Sequence, residues 1–268
     1  MYFYLPPMED FDRAAQHYKS DFDENPLALH QRTLMYSRLR KVVTKGVRVL
    51  ELGCGTGVDA LWMASQGAKV LATDASPEMI AVLKKKAQTS VQVQAIETRI
   101  LKMPEPFPLP DASVDLVFSN FGALNCLSAE GLQKVLAECK RVLVPQGTVM
   151  FALMPRFCFW ECVYFMIRLK PRSAFRRFGQ GVKYVEYHGA QIETYFHDPA
   201  QLRRIMSPSF LHISFRPMGL VSPFPGLMKL WNRVGGLMGW LLPLDRLFFW
   251  LKCGSSYSDH YLVEGARK

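Results

Sequence analysis

Residues 49–57 read Val-Leu-Glu-Leu-Gly-Cys-Gly-Thr-Gly, an apolar run that empties into three alternate glycines. Residues 70–74 read Val-Leu-Ala-Thr-Asp, a second apolar run that ends on a carboxylate. Between them, 58–66 has the apolar spacing of an amphipathic helix. This order is that of two parallel strands joined by a crossover helix, and a nucleotide binds where such a glycine turn meets the helix. A side chain at Gly53, Gly55 or Gly57 would keep a ligand off the backbone, and the turn needs dihedrals that glycine reaches without strain. Asp74, at the carboxyl end of the second run, is placed to accept hydrogen bonds from ribose hydroxyls. A dinucleotide fingerprint, G-x-G-x-x-G/A, requires glycine or alanine at position 58. Val58 stands there and Gly57 comes one residue early, so the spacing disfavours NAD.

The alternation continues. Strands are expected at 47–52, 69–74, 91–96, 114–120 and 148–154, with helices at 58–66, 77–88 and 128–143, which implies an α/β fold with a parallel sheet. Ser76 and Ser128 supply N-caps, and Gly147 closes the turn into the fifth strand. Residues 8–43 read as helical, with Asn25-Pro26 as a cap and first turn. Beyond Met154 the alternation breaks: 157–169 is apolar with Glu161 inside it, 183–196 has the composition of a hairpin, and Asp198-Pro199 opens a short helix. Residues 210–215 and 260–263 look like the last two strands, separated by an insertion from 217 to 258. Three regions follow: an N-terminal helical cover (1–45), a nucleotide-binding core (46–154) and a C-terminal elaboration that chooses the substrate (155–268).

Several of these runs carry a family resemblance. Glu51, the glycines from Gly53 to Gly57, and Asp74-Ala75-Ser76-Pro77-Glu78-Met79 together resemble the class I S-adenosylmethionine-dependent methyltransferases, whose first motif reads E/D-x-G-x-G-x-G. Phe11-Asp12-Arg13-Ala14-Ala15-Gln16-His17-Tyr18 and Pro110-Asp111-Ala112-Ser113-Val114-Asp115-Leu116-Val117 resemble the small-molecule members of the quinone and secondary-metabolite kind, so the likeness covers about residues 8–154. It implies a Rossmann-like three-layer sandwich with a mostly parallel seven-stranded sheet, the last two strands closing it as a hairpin-like pair. It also implies S-adenosylmethionine as cofactor, S-adenosylhomocysteine as product, and no metal.

By the same resemblance, Gly53, Cys54, Gly55 and Gly57 admit the methionyl and ribose portions of the cofactor, and Glu51 holds its ammonium end. Asp74 with Ala75 takes the ribose, Met79, Ile100 and Leu101 lie beside the adenine, and Tyr18 joins from the N-terminal cover. The family often carries an acid shortly before a Leu-Pro-like pair, and Arg99 stands at that place. Asn120 and Phe121 end the fourth strand, where methyl donor meets acceptor. Methyltransferases acting on adenine or glutamine nitrogens carry N/D-P-P-Y/F there, and neither proline is present in Ser119-Asn120-Phe121-Gly122-Ala123-Leu124-Asn125. Oxygen or carbon of a hydrophobic small molecule or lipid-like compound is the expected acceptor. An acidic oxygen nucleophile calls for a general base. Of the six histidines, His197 beside Tyr195 sits on a loop reaching a helix start and is the first candidate, with His188 second; both also fit ordinary structural histidines.

Composition sets the remaining bounds. The six cysteines form no C-x-x-C pair, which argues for buried thiols rather than a zinc site or a disulfide framework. Glu9, Asp10 and Asp12 stand where a secretory leader would be apolar, so a cytoplasmic protein is expected. Residues 1–150 carry a net charge of +1, and residues 151–268 a net +9. An anionic membrane, an acidic substrate, RNA or nothing at all could match the basic half. With no recognised RNA-binding module, nucleic acid is disfavoured; an RNA methyltransferase and a non-catalytic, membrane-associated cofactor binder remain the alternatives. Trp231, Trp240 and Trp250 among Lys229, Arg233, Arg246 and Lys252 fit either a lid or a peripheral membrane contact. The longest uncharged run there, 234–244, is too short to span a bilayer.

Overall fold

The structure, a computed structural model, describes residues 23–91, 93–179, 181–187, 190–222 and 237–268. Tyr18, His188 and Trp231 lie outside these, as does the Trp240 side chain.

Strands β1 (Arg48–Leu52), β2 (Lys69–Asp74), β3 (Ile96–Ile100), β4 (Val114–Ser119) and β5 (Leu143–Leu153) are parallel, and β8 (Phe210–Met218) and β9 (His260–Arg267) join antiparallel to them. The sheet order is β3-β2-β1-β4-β5-β9-β8, so the fold is the expected Rossmann-like sandwich with a mostly parallel seven-stranded sheet. A separate hairpin pairs β6 (Lys183–Tyr187) with β7 (Ala190–Thr194). The chain works outward from β1 to β3, then crosses to β4 on the other side. This reversal leaves a crevice beyond the carboxyl ends of β1 and β4, where ligands bind in open α/β sheets.

Alternation along each strand builds two cores. Leu50, Leu52, Val117 and Phe151 face one way, toward Leu132, Val135 and Cys139 of α4 (Ala129–Val142). Val49, Leu116, Phe118 and Met150 face the other way. There they meet Leu34 and Met35 of α1 (Pro26–Leu39), Met63 of α2 (Val58–Ser65) and Leu83 of α3 (Pro77–Gln88). Side-chain caps start the helices: Asn25 accepts from Leu27 N–H, Ser76 from Met79 N–H, and Ser128 from Gly131 N–H.

Strands β8 and β9 run three and four residues beyond the expected ends at 215 and 263, and two strand starts differ by five residues. The valines at 91 and 93 belong to an exposed connection, and β3 begins only at Ile96, paired with Val70 of β2. An edge strand half open to water takes polar alternation, here Glu97 and Arg99, so hydrophobicity pointed to the wrong segment. Strand β5 starts at Leu143, five residues early, because α4 passes into it without a loop. Arg141 pins that junction by donating to Glu138, Asp111 and the carbonyls of Phe107 and Leu109.

After β5 come α5 (Phe159–Ile167), the short α6 (Pro171–Ala174), α7 (Pro199–Met206) and α8 (Leu237–Leu251). No helix among the described residues is long and apolar enough to cross a membrane. On α8, Phe249 is fully buried, and Asp245 accepts from the Leu220 and Val221 N–H groups and the Ser222 hydroxyl. Trp250 lies under the cations of Lys41, Arg216 and Arg38 and remains 41% exposed.

Candidate functional site

The turn after β1 closes through backbone geometry that side chains would obstruct. Gly53, Gly55 and Gly57 all have positive φ. A Cβ on Gly53 would lie 2.4 Å from Ala123 Cβ, and one on Gly57 would lie 2.0 Å from Leu83 Cδ1. The first and third glycines therefore let the turn approach the segment after β4 and the body of α3. The turn is tied to β2 as well: Cys54 N–H donates to Thr73 O (2.9 Å) and Gly55 N–H to Asp74 Oδ2 (2.8 Å). Asp74 Oδ1 accepts from Ser76 N–H (3.0 Å), so the carboxylate is aimed by backbone donors from two loops. Cys54 is buried, and that burial raises its thiol well above the usual range.

Glu51 sits below this turn on the sheet face covered by α1 and α2. It is 1% exposed, and its Oε2 finds no hydrogen-bond donor among the described residues. Burial, reinforced by the nearby Asp59 carboxylate, pushes its own carboxyl well above the usual range, with Arg32 opposing. Asp59, in the first turn of α2, is by contrast fully engaged. Its Oδ1 accepts from Tyr36 OH (2.6 Å) and Arg32 Nε (3.2 Å), and its Oδ2 from Asn120 Nδ2 (3.0 Å). One carboxylate thus ties α1, α2 and the tip of β4 together. Burial and Asp59 raise the Tyr36 phenol, which stays neutral. Arg32 also lies 4.6 Å from the centre of the Phe121 ring.

The other expected residues fall as follows. Ala75 is half-buried beside Asp74, Met79 is buried in the first turn of α3, and Leu101 is buried with its N–H on Asp74 O (2.9 Å). Ile100 is 57% exposed at the end of β3, in register with Asp74. Arg99 turns to the rim, on Glu97 and the Pro108 carbonyl. Asn120 and Phe121 border the crevice.

His197 and Tyr195 occupy a packed corner. Both donate main-chain N–H bonds, Tyr195 to Asn125 O (2.6 Å) and His197 to Met154 O (3.2 Å). The His197 ring is buried with Nε2 3.0 Å from Leu127 O, and burial lowers it to about 4, so the ring is neutral. Tyr261 OH donates to the His197 carbonyl (2.9 Å).

A different histidine borders Phe121. His260 opens β9 at the same edge of the sheet as the carboxyl end of β5, and its ring meets Phe121 edge-on at 6.1 Å. Its Nδ1 lies 3.0 Å from Asp259 Oδ2. The Asp259 carboxylate also accepts from Gln31 Nε2 (3.2 Å) and Arg177 Nη2 (3.0 Å), and the neighbouring His260 and Arg177 hold it well below the usual carboxylate range. With Nδ1–H on a carboxylate, an imidazole presents Nε2 as a proton acceptor. The adjacent Asp-His pair in the sequence was the available signal for this residue, and Asp59 two positions after the last glycine was the signal for the other.

Residues 49–147 match a family model described as a methyltransferase domain. A ubiquinone/menaquinone biosynthesis C-methyltransferase of Acidiphilium cryptum is 36% identical over 100 residues, 37% of this chain and 39% of that protein. A malonyl-[acyl-carrier protein] O-methyltransferase of Enterobacter lignolyticus is 30% identical over 156 residues, 56% of each. The chain thus spans about half, or less, of the length of these relatives. Among solved structures, a SAM-dependent methyltransferase of Methanosarcina mazei superposes with a TM-score of 0.59 at 13% identity, over 87% of this chain and 97% of that one, a likeness of fold.

Proposed function

We propose that this chain is a class I S-adenosylmethionine-dependent methyltransferase that methylates an oxygen or carbon of a hydrophobic small molecule or lipid-like acceptor, a reading supported by the methyltransferase-domain match and the relatives named above. The observation that carries the cofactor reading is Glu51. A buried carboxylate oxygen without a donor among the described residues, beneath a glycine turn, is costly unless a cation arrives, and the methionyl ammonium is such a cation. Gly53, Cys54, Gly55 and Gly57 offer backbone to the ligand, Asp74 with Ala75 receives the ribose hydroxyls, and Met79, Ile100 and Leu101 flank the adenine.

When bound, S-adenosylmethionine supplies a methyl group already activated on a sulfonium. The protein's own contribution is then alignment and proton removal. Asp59 holds Asn120 and Arg32, and Arg32 holds the Phe121 ring, so the wall beside the acceptor is rigid. An oxygen acceptor loses its proton as the methyl arrives, and His260 Nε2 receives it while Asp259 keeps Nδ1–H in place. His197 we assign to packing: Leu127 O and its buried corner engage it. The relatives named above act on carbon and on oxygen, which supports both acceptor classes and leaves the choice to the region after Met154.

Calorimetry with S-adenosylhomocysteine tests the cofactor reading. The wild-type chain binds saturably, and Asp74→Ala weakens binding by about 10- to 150-fold, the range for losing hydrogen bonds to a charged group. Failure of the wild type to bind overturns the reading. Metabolites one methyl group lighter in a deletion strain identify the acceptor. With that compound, His260→Ala slows methyl transfer while leaving cofactor affinity unchanged.

A further inference from the structure

The hairpin formed by α5 and α6 ends in an exposed tip that is both apolar and cationic. Ile167, Leu169, Phe175 and Phe178 are 76%, 88%, 50% and 47% exposed, although large apolar side chains ordinarily avoid water. Phe175 and Phe178 meet edge-on with ring centres 5.6 Å apart, so they form one patch. Leu169, at the turn itself, has a φ of 55°, a left-handed conformation that disfavours a side chain of its kind, and it projects into solvent from there. Between these residues stand Arg168, Lys170 and Arg172, all exposed, and no acidic residue occurs from 162 to 185.

From this juxtaposition we propose that the α5–α6 tip is a docking surface for an anionic lipid bilayer, with Ile167, Leu169, Phe175 and Phe178 entering the headgroup boundary and Arg168, Lys170 and Arg172 meeting the phosphates. Charge complementarity selects this occupant. A neutral partner would leave three exposed cations without a counter-charge, whereas an anionic interface engages both kinds of side chain together. The tip is also braced from within: Glu161 on α5 is 1% exposed and holds both Arg176 and Arg177, and Arg177 reaches on to Asp259. The inference rests on surface chemistry and stands independently of the methyl-transfer reading.

Co-sedimentation of the full chain with phosphatidylcholine vesicles, with and without phosphatidylglycerol, tests it. Binding is expected only with the anionic lipid and falls as salt rises. Neutralising Arg168, Lys170 and Arg172 to glutamine weakens partitioning by about fivefold per charge removed. Leu169→Asp also weakens it; aspartate tolerates the left-handed region, so circular dichroism and thermal melting stay as in wild type. Val91→Asp, at a 95% exposed position on the opposite edge of the sheet, leaves binding unchanged. Equal sedimentation with both vesicle types, no sedimentation with either, or wild-type binding by Leu169→Asp overturns the proposal. So does a dimer in analytical ultracentrifugation that Leu169→Asp dissociates in the absence of vesicle binding, which gives the patch to a second copy of the chain.

Discussion

Two of the buried acidic centres of this protein are balanced differently. Under the glycine turn, Glu51 keeps one carboxylate oxygen without a donor among the described residues. Between α5 and β9, Glu161 and Asp259 are nearly as buried, yet Arg176, Arg177, Gln31 and His260 satisfy them from several directions. An acid satisfied by the protein's own cations holds elements together, and in the proposed function an acid left short of a donor receives the ammonium of the ligand. On that proposal the difference separates a brace from a binding site more sharply than burial does.

The largest way to break this comparison is to unbalance the brace. Arg177→Met leaves Glu161 and Asp259 short of a buried cation and is expected to lower unfolding free energy by about 3–5 kcal/mol in urea titration. The same centre sets an acid response. Asp259 has a folded-state value below its ordinary 3.8, so its contribution is present above that pH and is lost as pH falls through and below it. Asp259→Asn should flatten the loss of stability measured in that acid range.

His197 gives the next largest effect, with a separate window. It titrates at about 4 when folded against 6.5 ordinarily, so the unfolded chain takes up its proton first as pH drops. Stability attributable to this ring is therefore complete above 6.5 and falls by about 3 kcal/mol on going down to 4. His197→Asn should remove that slope in melts across the window while S-adenosylhomocysteine affinity stays as in wild type; a large loss of affinity would place His197 in the binding site.

Glu51 sharpens the comparison from the other side. Its carboxyl is raised in the folded chain, so stability is lost as pH climbs above the ordinary 4.5, and a ligand ammonium reverses the shift. Cofactor binding near neutral pH should release a proton, seen as a dependence of calorimetric heat on the buffer's ionisation enthalpy. Glu51→Gln should abolish that dependence and raise thermal stability by about 1 kcal/mol at alkaline pH. The smallest effect belongs to the rim: Arg99→Ala, which breaks an exposed pair with Glu97, should change unfolding free energy by less than about 0.5 kcal/mol.

The elements legible in the sequence are those whose signals are local. Strands β1 and β2 announce themselves by apolar runs buried on both faces, α3 by Ser76-Pro77, and the cradle by three glycines and two acids within 24 residues, from Glu51 to Asp74. Strand β3 was hidden because an edge strand has one wet face, and the valines before it mimic a core strand. Arg32 and Tyr36 were hidden for another reason. Their partner Asp59 is more than 20 residues away, and only the packing of α1 over α2 brings them within hydrogen-bond distance. The sequence singles out His197 with His188 second because its loop is read by itself. His260 meets Phe121 only because β9 enters the sheet beside β5.

The sequence by itself determined the alternation of strands and helices and the glycine turn, because dihedral freedom, capping and alternation act between neighbours in the chain. Tertiary structure alone decided which carboxylates are balanced, which histidine meets Phe121 and which apolar residues face water. Charge balance and exposure are set by everything within a few ångströms, and for Glu51 and Asp259 that surrounding is assembled from segments the chain order keeps far apart.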